Sequence, residues 1–147
     1  DFAARDAPRL SIQFGGGMRD PKLARGADVE AIRRRFAQGG IWTVNDHAVL
    51  GHVHHPLFEL ARGRSYVLAL DNDTAFHHPI HLHGMPFLVL ARDGRRLPRA
   101  EWRDTAIMRP GEKIDLGLVA ETPGDWMFHC HILEHQDAGM MTTLRIS

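Results

Sequence analysis

The feature that most limits the possible folds is a succession of short β-type segments that fills the chain from Ile41 onward. Ile41 to Val44 is apolar and β-branched, closed by Asn45-Asp46, and Leu57 to Ala61 and Tyr66 to Leu70 follow with Gly63 between them. Phe87 to Leu90 leads into a turn at Asp93-Gly94. Ile114, Leu116 and Leu118 alternate with Asp115 and Gly117, the period of two of a half-buried strand. Trp126 to Phe128 and Met141 to Ile146 complete the series. Short strands punctuated by turn residues, with little helix among them, predict an all-β sandwich or barrel.

The first forty residues read differently. Leu10 to Phe14 alternates only weakly, and Gly15-Gly16-Gly17 is expected to break a strand. From Ala27 to Gln38 the pattern is helical: Asp28 can cap, Val29, Ile32 and Phe36 recur at helical spacing, and Gly39-Gly40 ends it. Arg33-Arg34-Arg35 reads as a solvated helix face. This segment is expected to stand apart, with one short helix, from residues 41–147, which read as a single domain.

Composition excludes several classes. The 147 residues carry 18 basic and 18 acidic side chains, which removes the usual electrostatic case for a nucleic-acid partner. No apolar run approaches the ~18 residues of a membrane span, and the chain opens without a basic-then-apolar leader. One cysteine rules out an internal disulfide framework.

Seven of the eleven histidines fall in two clusters: His77 to His83 within HHPIHLHG, and His129-Cys130-His131 followed by His135 and then Gly139-Met140-Met141. On an extended strand, residues two apart share a face and the one between them points the other way. His81 and His83 can thus share a side, and His129 and His131 can face one way while Cys130 faces the other. On the Cys130 face the available donors are one thiolate, His135, Met140 and a histidine from the upstream cluster. Two imidazoles, a thiolate and a weak axial thioether are the donor set of a blue-copper site. On the opposite face, His129, His131, His81 and His83 offer four imidazoles, which would suit zinc, copper, iron or nickel. A structural zinc site would want more thiolates or a closed set of four ligands and would leave Met140 unused. A nucleophilic cysteine needs one base and does not account for four flanking histidines and a methionine. His47 and His77 read as surface or core residues. His52-Val53-His54 has a bare His-x-His spacing but neither glycine nor aromatic context, and Pro56 follows, so it reads as a loop.

At HPIHLHG and HCHILEHQDAGMM, with support from Trp42-Thr43-Val44-Asn45, Trp102-Arg103-Asp104-Thr105 and Pro123-Gly124-Asp125-Trp126, the sequence resembles the C-terminal cupredoxin domain of the multicopper oxidases, the laccase-like family. The resemblance runs from about Ile41 to Ser147 and implies a plastocyanin-like Greek-key β-barrel. It further implies that His78, Cys130, His135 and Met140 bind a type 1 copper, that His81 binds the type 2 copper, and that His83, His129 and His131 bind the type 3 pair. Cys130 and His135 are then the residues expected to carry the electron-transfer chemistry. The implied activity is oxidation of a small reducing substrate (a phenol, an aromatic amine or a metal ion) coupled to reduction of dioxygen to water. The implied location is periplasmic or secreted.

Two departures from the family's pattern shape these expectations. The trinuclear cluster of the family draws half of its histidines from an N-terminal cupredoxin domain, and this chain offers the other half. It is expected to be the C-terminal portion of a longer enzyme, inactive in oxygen reduction alone, with its partner domain in the same chain or another subunit. The resemblance thus implies that residues 1–40 are an inter-domain linker with a short helix and residues 41–147 the C-terminal cupredoxin domain. Gln136 follows His135 where many bacterial members carry a proton-delivering glutamate, and glutamine cannot titrate. The competing functions are a single-copper electron carrier, which leaves His81, His83, His129 and His131 without a role, and copper resistance or cuprous oxidation, for which the six methionines are too scattered to speak.

Overall fold

The computed structural model describes residues 2–51 and 55–147, so His52-Val53-His54 lies outside the described residues. The elements begin with β1 (Arg9–Gly16), α1 (Pro21–Ala24), α2 (Val29–Ala37), β2 (Trp42–Val44), β3 (Phe58–Leu60) and β4 (Ser65–Asn72). They continue with β5 (His78–Leu82), β6 (Phe87–Arg92), β7 (Arg95–Arg96), β8 (Trp102–Arg103) and β9 (Thr105–Met108). The last four are β10 (Lys113–Val119), β11 (Gly124–Cys130), α3 (Leu133–Asp137) and β12 (Met141–Ile146).

The strands form two mixed sheets. One runs β2-β1-β4-β10-β6-β7, with β8 also on β6; the other runs β3-β12-β11-β5-β9. The alternation read at Ile114, Leu116 and Leu118 holds, since all three are buried on β10. They face a core that takes Phe14, Leu68, Leu70 and Phe87 from the first sheet and Ile80, Leu82, Phe128 and Leu144 from the second. Phe14 and Phe128 meet across it with ring centroids 6.1 Å apart. Truncating a ring at such a position costs about 3–5 kcal/mol. The all-β expectation is met.

The amino-terminal segment departs from the linker reading at Arg9–Gly16. This stretch is an internal strand, paired antiparallel with β2 and parallel with β4 over Arg9 to Phe14. Ile12 and Phe14 are buried in the common core. The glycines do not break the strand, because Gly15 and Gly16 lie opposite Thr43 and Trp42. A Cβ on Gly16 would approach the Ile41 carbonyl oxygen to 2.3 Å, so the close passage of the two chains requires glycine there. The expected helix is present as α2, with the Asp28 carboxylate accepting from the Glu30 and Ala31 amides. Arg33 and Arg34 are exposed as expected, whereas Arg35 folds back so that its Nε donates to the Gly40 carbonyl at 2.8 Å.

Candidate metal centre

Adjacent residues on β11 serve opposite faces of the second sheet. Phe128 and Cys130 point into the core, and His129 sits opposite His81 of β5 on the outer face. Alternation on one strand therefore splits the histidines and the cysteine into two groups.

The inner group is His78, Cys130 and His135. The Nδ1 atoms of the two imidazoles are 3.1 Å apart, and each lies 3.6 Å from Cys130 Sγ. His78 begins β5, Cys130 ends β11, and His135 comes from α3 just after it, so two strands and a short helix converge. His78 and Cys130 are fully buried and His135 is half-buried. Met140 is buried in the same core. Its backbone is pinned to both neighbours, the Met140 amide donating to the His135 carbonyl and the Cys130 amide donating to the Met140 carbonyl.

A buried polar chain sets the orientation of His78. Thr74 Oγ1 lies 2.8 Å from His78 Nε2 and 2.7 Å from Asn72 Oδ1. Asn72 Oδ1 can only accept, so the hydroxyl donates to it and accepts from His78 Nε2–H. That assigns the tautomer that leaves a lone pair on Nδ1, facing the thiol. Asn72 is satisfied in turn, its amide nitrogen donating to the Phe76 and Arg109 carbonyls at 2.8 Å each. Neither Asn72 nor Thr74 was singled out by the sequence, because both become relevant only when β4 and the following turn are placed beside β5.

Burial also sets the charge state. It pushes the His78 imidazole down to about 3, with His135 and His77 adding to the effect, and lowers His135 as well. It pushes the Cys130 thiol up to about 11. An anionic thiolate with no positive partner is costly in such surroundings, and a bound cation removes that cost. Two neutral imidazoles beside one cysteine sulfur, with a methionine in the same core, therefore fit a soft, thiophilic metal ion such as copper.

The outer group is His81, His83, His129 and His131. His83 Nε2 and His129 Nε2 are 2.9 Å apart. The His81 ring centroid lies 4.8 Å from that of His83, 5.6 Å from His129 and 5.5 Å from His131. His83 and His131 fall just past the ends of β5 and β11, each held by a backbone bond: the His83 amide donates to the Met127 carbonyl and the His131 amide to the Pro79 carbonyl. His81 Nδ1 contacts the Asp104 carbonyl and Thr105 Oγ1, and His129 Nδ1 contacts the Cys130 carbonyl. In His129 the opposite nitrogen, Nε2, is the one that meets His83. His129 is buried, while His83 and His131 are exposed, so this group opens onto the surface. Seven of the eight residues singled out in the sequence thus fall into two groups, and the eighth, Met140, is buried in the core with its backbone bonded to Cys130 and His135.

Comparisons with known proteins place the chain in a family. The multicopper oxidase profile matches residues 23–147. The multicopper oxidase MmcO of Mycobacterium tuberculosis is 42% identical over 103 residues, which are 70% of this chain and 19% of that protein. Copper resistance protein A of Pseudomonas syringae pv. tomato is 38% identical over 87 residues, 59% of this chain and 14% of that protein. The crystal structure of a multicopper oxidase from Pseudomonas thermotolerans matches at a TM-score of 0.76 and 28% identity, covering 99% of this chain and 32% of that one. The chain spans a fifth or less of the length of these curated relatives and about a third of the solved structure. With a cupredoxin-like sandwich that brings a cysteine and two imidazoles together, this chain belongs to the multicopper oxidase family, whose members are copper-dependent oxidoreductases.

Proposed function

We propose that this chain is the C-terminal, type 1 copper-bearing portion of a laccase-like multicopper oxidase that couples one-electron oxidation of a small reducing substrate to reduction of dioxygen to water. The observation that carries the reading is the inner triad, with both Nδ1 atoms 3.6 Å from the single cysteine sulfur. In this reading His78, Cys130 and His135 hold the type 1 copper with Met140 as the fourth donor. His81 holds the type 2 copper, and His83, His129 and His131 hold the type 3 pair, completed by an N-terminal cupredoxin domain of the same enzyme or another subunit. Part of residues 1–40 then serves as the connection to the preceding domain, and the whole protein works in the periplasm or outside the cell.

Copper bound in the triad supplies one-electron redox chemistry at soft donors. The protein's own part is positional. Asn72 and Thr74 fix the His78 ring, and the apolar core keeps water from Cys130. His135, half-buried, is the member of the triad that reaches toward the surface and any reducing substrate. The peptide bonds on either side of Cys130 lead directly to His129 and His131, so the backbone joins the two groups. Gln136 holds no titratable proton, and Glu134 and Asp137 are the exposed carboxylates on α3.

The test is dioxygen uptake by the full-length protein in the presence of a phenol, an aromatic amine or a reduced metal ion. The unsubstituted protein is expected to consume dioxygen and to show an intense visible thiolate-to-copper band. Cys130→Ser is expected to lose both. Dioxygen uptake that survives Cys130→Ser would refute the reading.

A further inference from the structure

The two imidazoles of the triad are held by different means. His78 is fixed by the hydrogen bond from its Nε2–H to Thr74 Oγ1. His135 sits on a helix of five residues whose N-cap, Ile132, makes no side-chain cap bond. Among the described residues, the side-chain polar contacts of His135 are those inside the triad. What packs against its ring is an indole. Trp42, 6% exposed, lies with its ring centroid 4.4 Å from that of His135 at an interplanar angle of 44°. The same indole meets His78 edge-on at 4.9 Å, and Phe76 closes on it at 5.6 Å.

The backbone is arranged to put the indole there. The Trp42 amide donates to the Ala138 carbonyl at 2.9 Å, tying β2 of one sheet to the end of α3, which follows a strand of the other. Glycines allow the approach: a Cβ on Gly139 would lie 2.2 Å from the Trp42 carbonyl oxygen, and one on Gly17 would lie 2.2 Å from Cζ3 of the indole.

We propose that Trp42 is a positioning residue for the copper-binding triad, one that holds the His135 ring with Nδ1 toward Cys130 Sγ and keeps water from the site, and so sets the reduction potential of the copper held there. The proposal rests on the copper reading above. An imidazole with an open space on one face can rotate its Nδ1 away from the sulfur. Water admitted to that space stabilises the more highly charged oxidised state, so loss of the indole lowers the potential. A phenyl ring at the same place retains most of the apolar cover.

The test compares Trp42→Leu and Trp42→Phe in the copper-loaded protein, by potentiometric titration of the visible band, by the copper hyperfine splitting in electron paramagnetic resonance, and by thermal unfolding. Trp42→Leu is expected to lower the potential and alter the hyperfine splitting, and Trp42→Phe to restore most of both. Gly17→Ala, whose Cβ presses on the indole while Trp42 is retained, is expected to move the potential in the same direction as Trp42→Leu and gives a second route if that variant fails to accumulate. Native potential and splitting in either displaced variant overturn the proposal. Equal shifts in Trp42→Phe and Trp42→Leu that follow a loss of thermal stability also overturn it, since the role is then structural only. An unsubstituted protein without a Cys130-dependent band defeats the copper reading, and this proposal with it, before any substitution at Trp42 is made.

Discussion

The two histidine groups are a few residues apart in sequence and opposite in character. The inner triad is enclosed: His78 and Cys130 are fully buried, and each of its parts comes from this chain. The outer quartet is open, with His83 and His131 exposed. The difference arises from a single strand. On β11 the pleat sends Cys130 into the core and His129 to the outer face. A site built on the inner face can be completed by one domain, because the core surrounds it. A site built on the outer face must be completed by whatever covers that face. The contrast predicts that damage to one group leaves the other readable.

The largest separation is expected from the outer group. In the full-length protein, His83→Ala or His131→Ala should abolish dioxygen uptake while the visible band of the inner site persists, measured by oxygen electrode and absorbance on the same sample. Joint loss of both signals would break the comparison, because it would make the quartet part of the triad's integrity.

A smaller effect distinguishes how the two groups are supported. Thr74→Val leaves His78 Nε2–H buried without a partner and should destabilise the copper-free protein by about 1–3 kcal/mol. It should also weaken copper binding about 10–100-fold. Thr105→Val, beside the half-buried His81, leaves the Asp104 carbonyl still in contact with His81 Nδ1 and should cost far less. Urea unfolding and competitive chelation check both. Equal costs would mean that burial does not separate the groups.

The smallest expected effect concerns the loop that braces the triad. Asn72, which carries Thr74, accepts the Gly111 amide at its carbonyl and donates its own amide to the Glu112 carbonyl. The Glu112 side chain is enclosed: burial raises its pKa, but the Arg109 amide and the Arg109 and Arg92 guanidiniums outweigh this and hold it below its ordinary 4.5. The unfolded chain therefore takes up this proton first as pH falls. The stability that Glu112 contributes is fully present above 4.5 and is lost as pH drops through its lowered folded value. Glu112→Gln should flatten the acid limb of copper-free stability in that window, followed by urea unfolding at stepped pH. An unchanged acid limb would remove Glu112 from the account.

Legibility in the sequence followed the range of the interactions. The strands from Ile41 onward were readable because period-two alternation and turn residues are local signals, and the division of His129, Cys130 and His131 between two faces followed from the same period. β1 is hidden from local inspection, since its pairing with β4 is parallel and more than fifty residues away, which no local pattern announces. Gly15-Gly16 looked like a break when the reason for the glycines is close passage beside β2. Asn72 and Thr74 are ordinary turn-forming residues until the fold sets them beside His78. Trp42 stood out as part of a motif, but its contact with His135 depends on β2 and α3 meeting across two sheets.

The central claim is that this chain alone completes one copper site and only part of another. Copper titration of the chain, followed at once by visible absorbance and by total bound copper, tests it most directly. The account predicts that the visible band saturates at one equivalent per chain, persists when His83 and His131 are both replaced, and is absent in Cys130→Ser. A band that never develops, or one that survives Cys130→Ser, would contradict it.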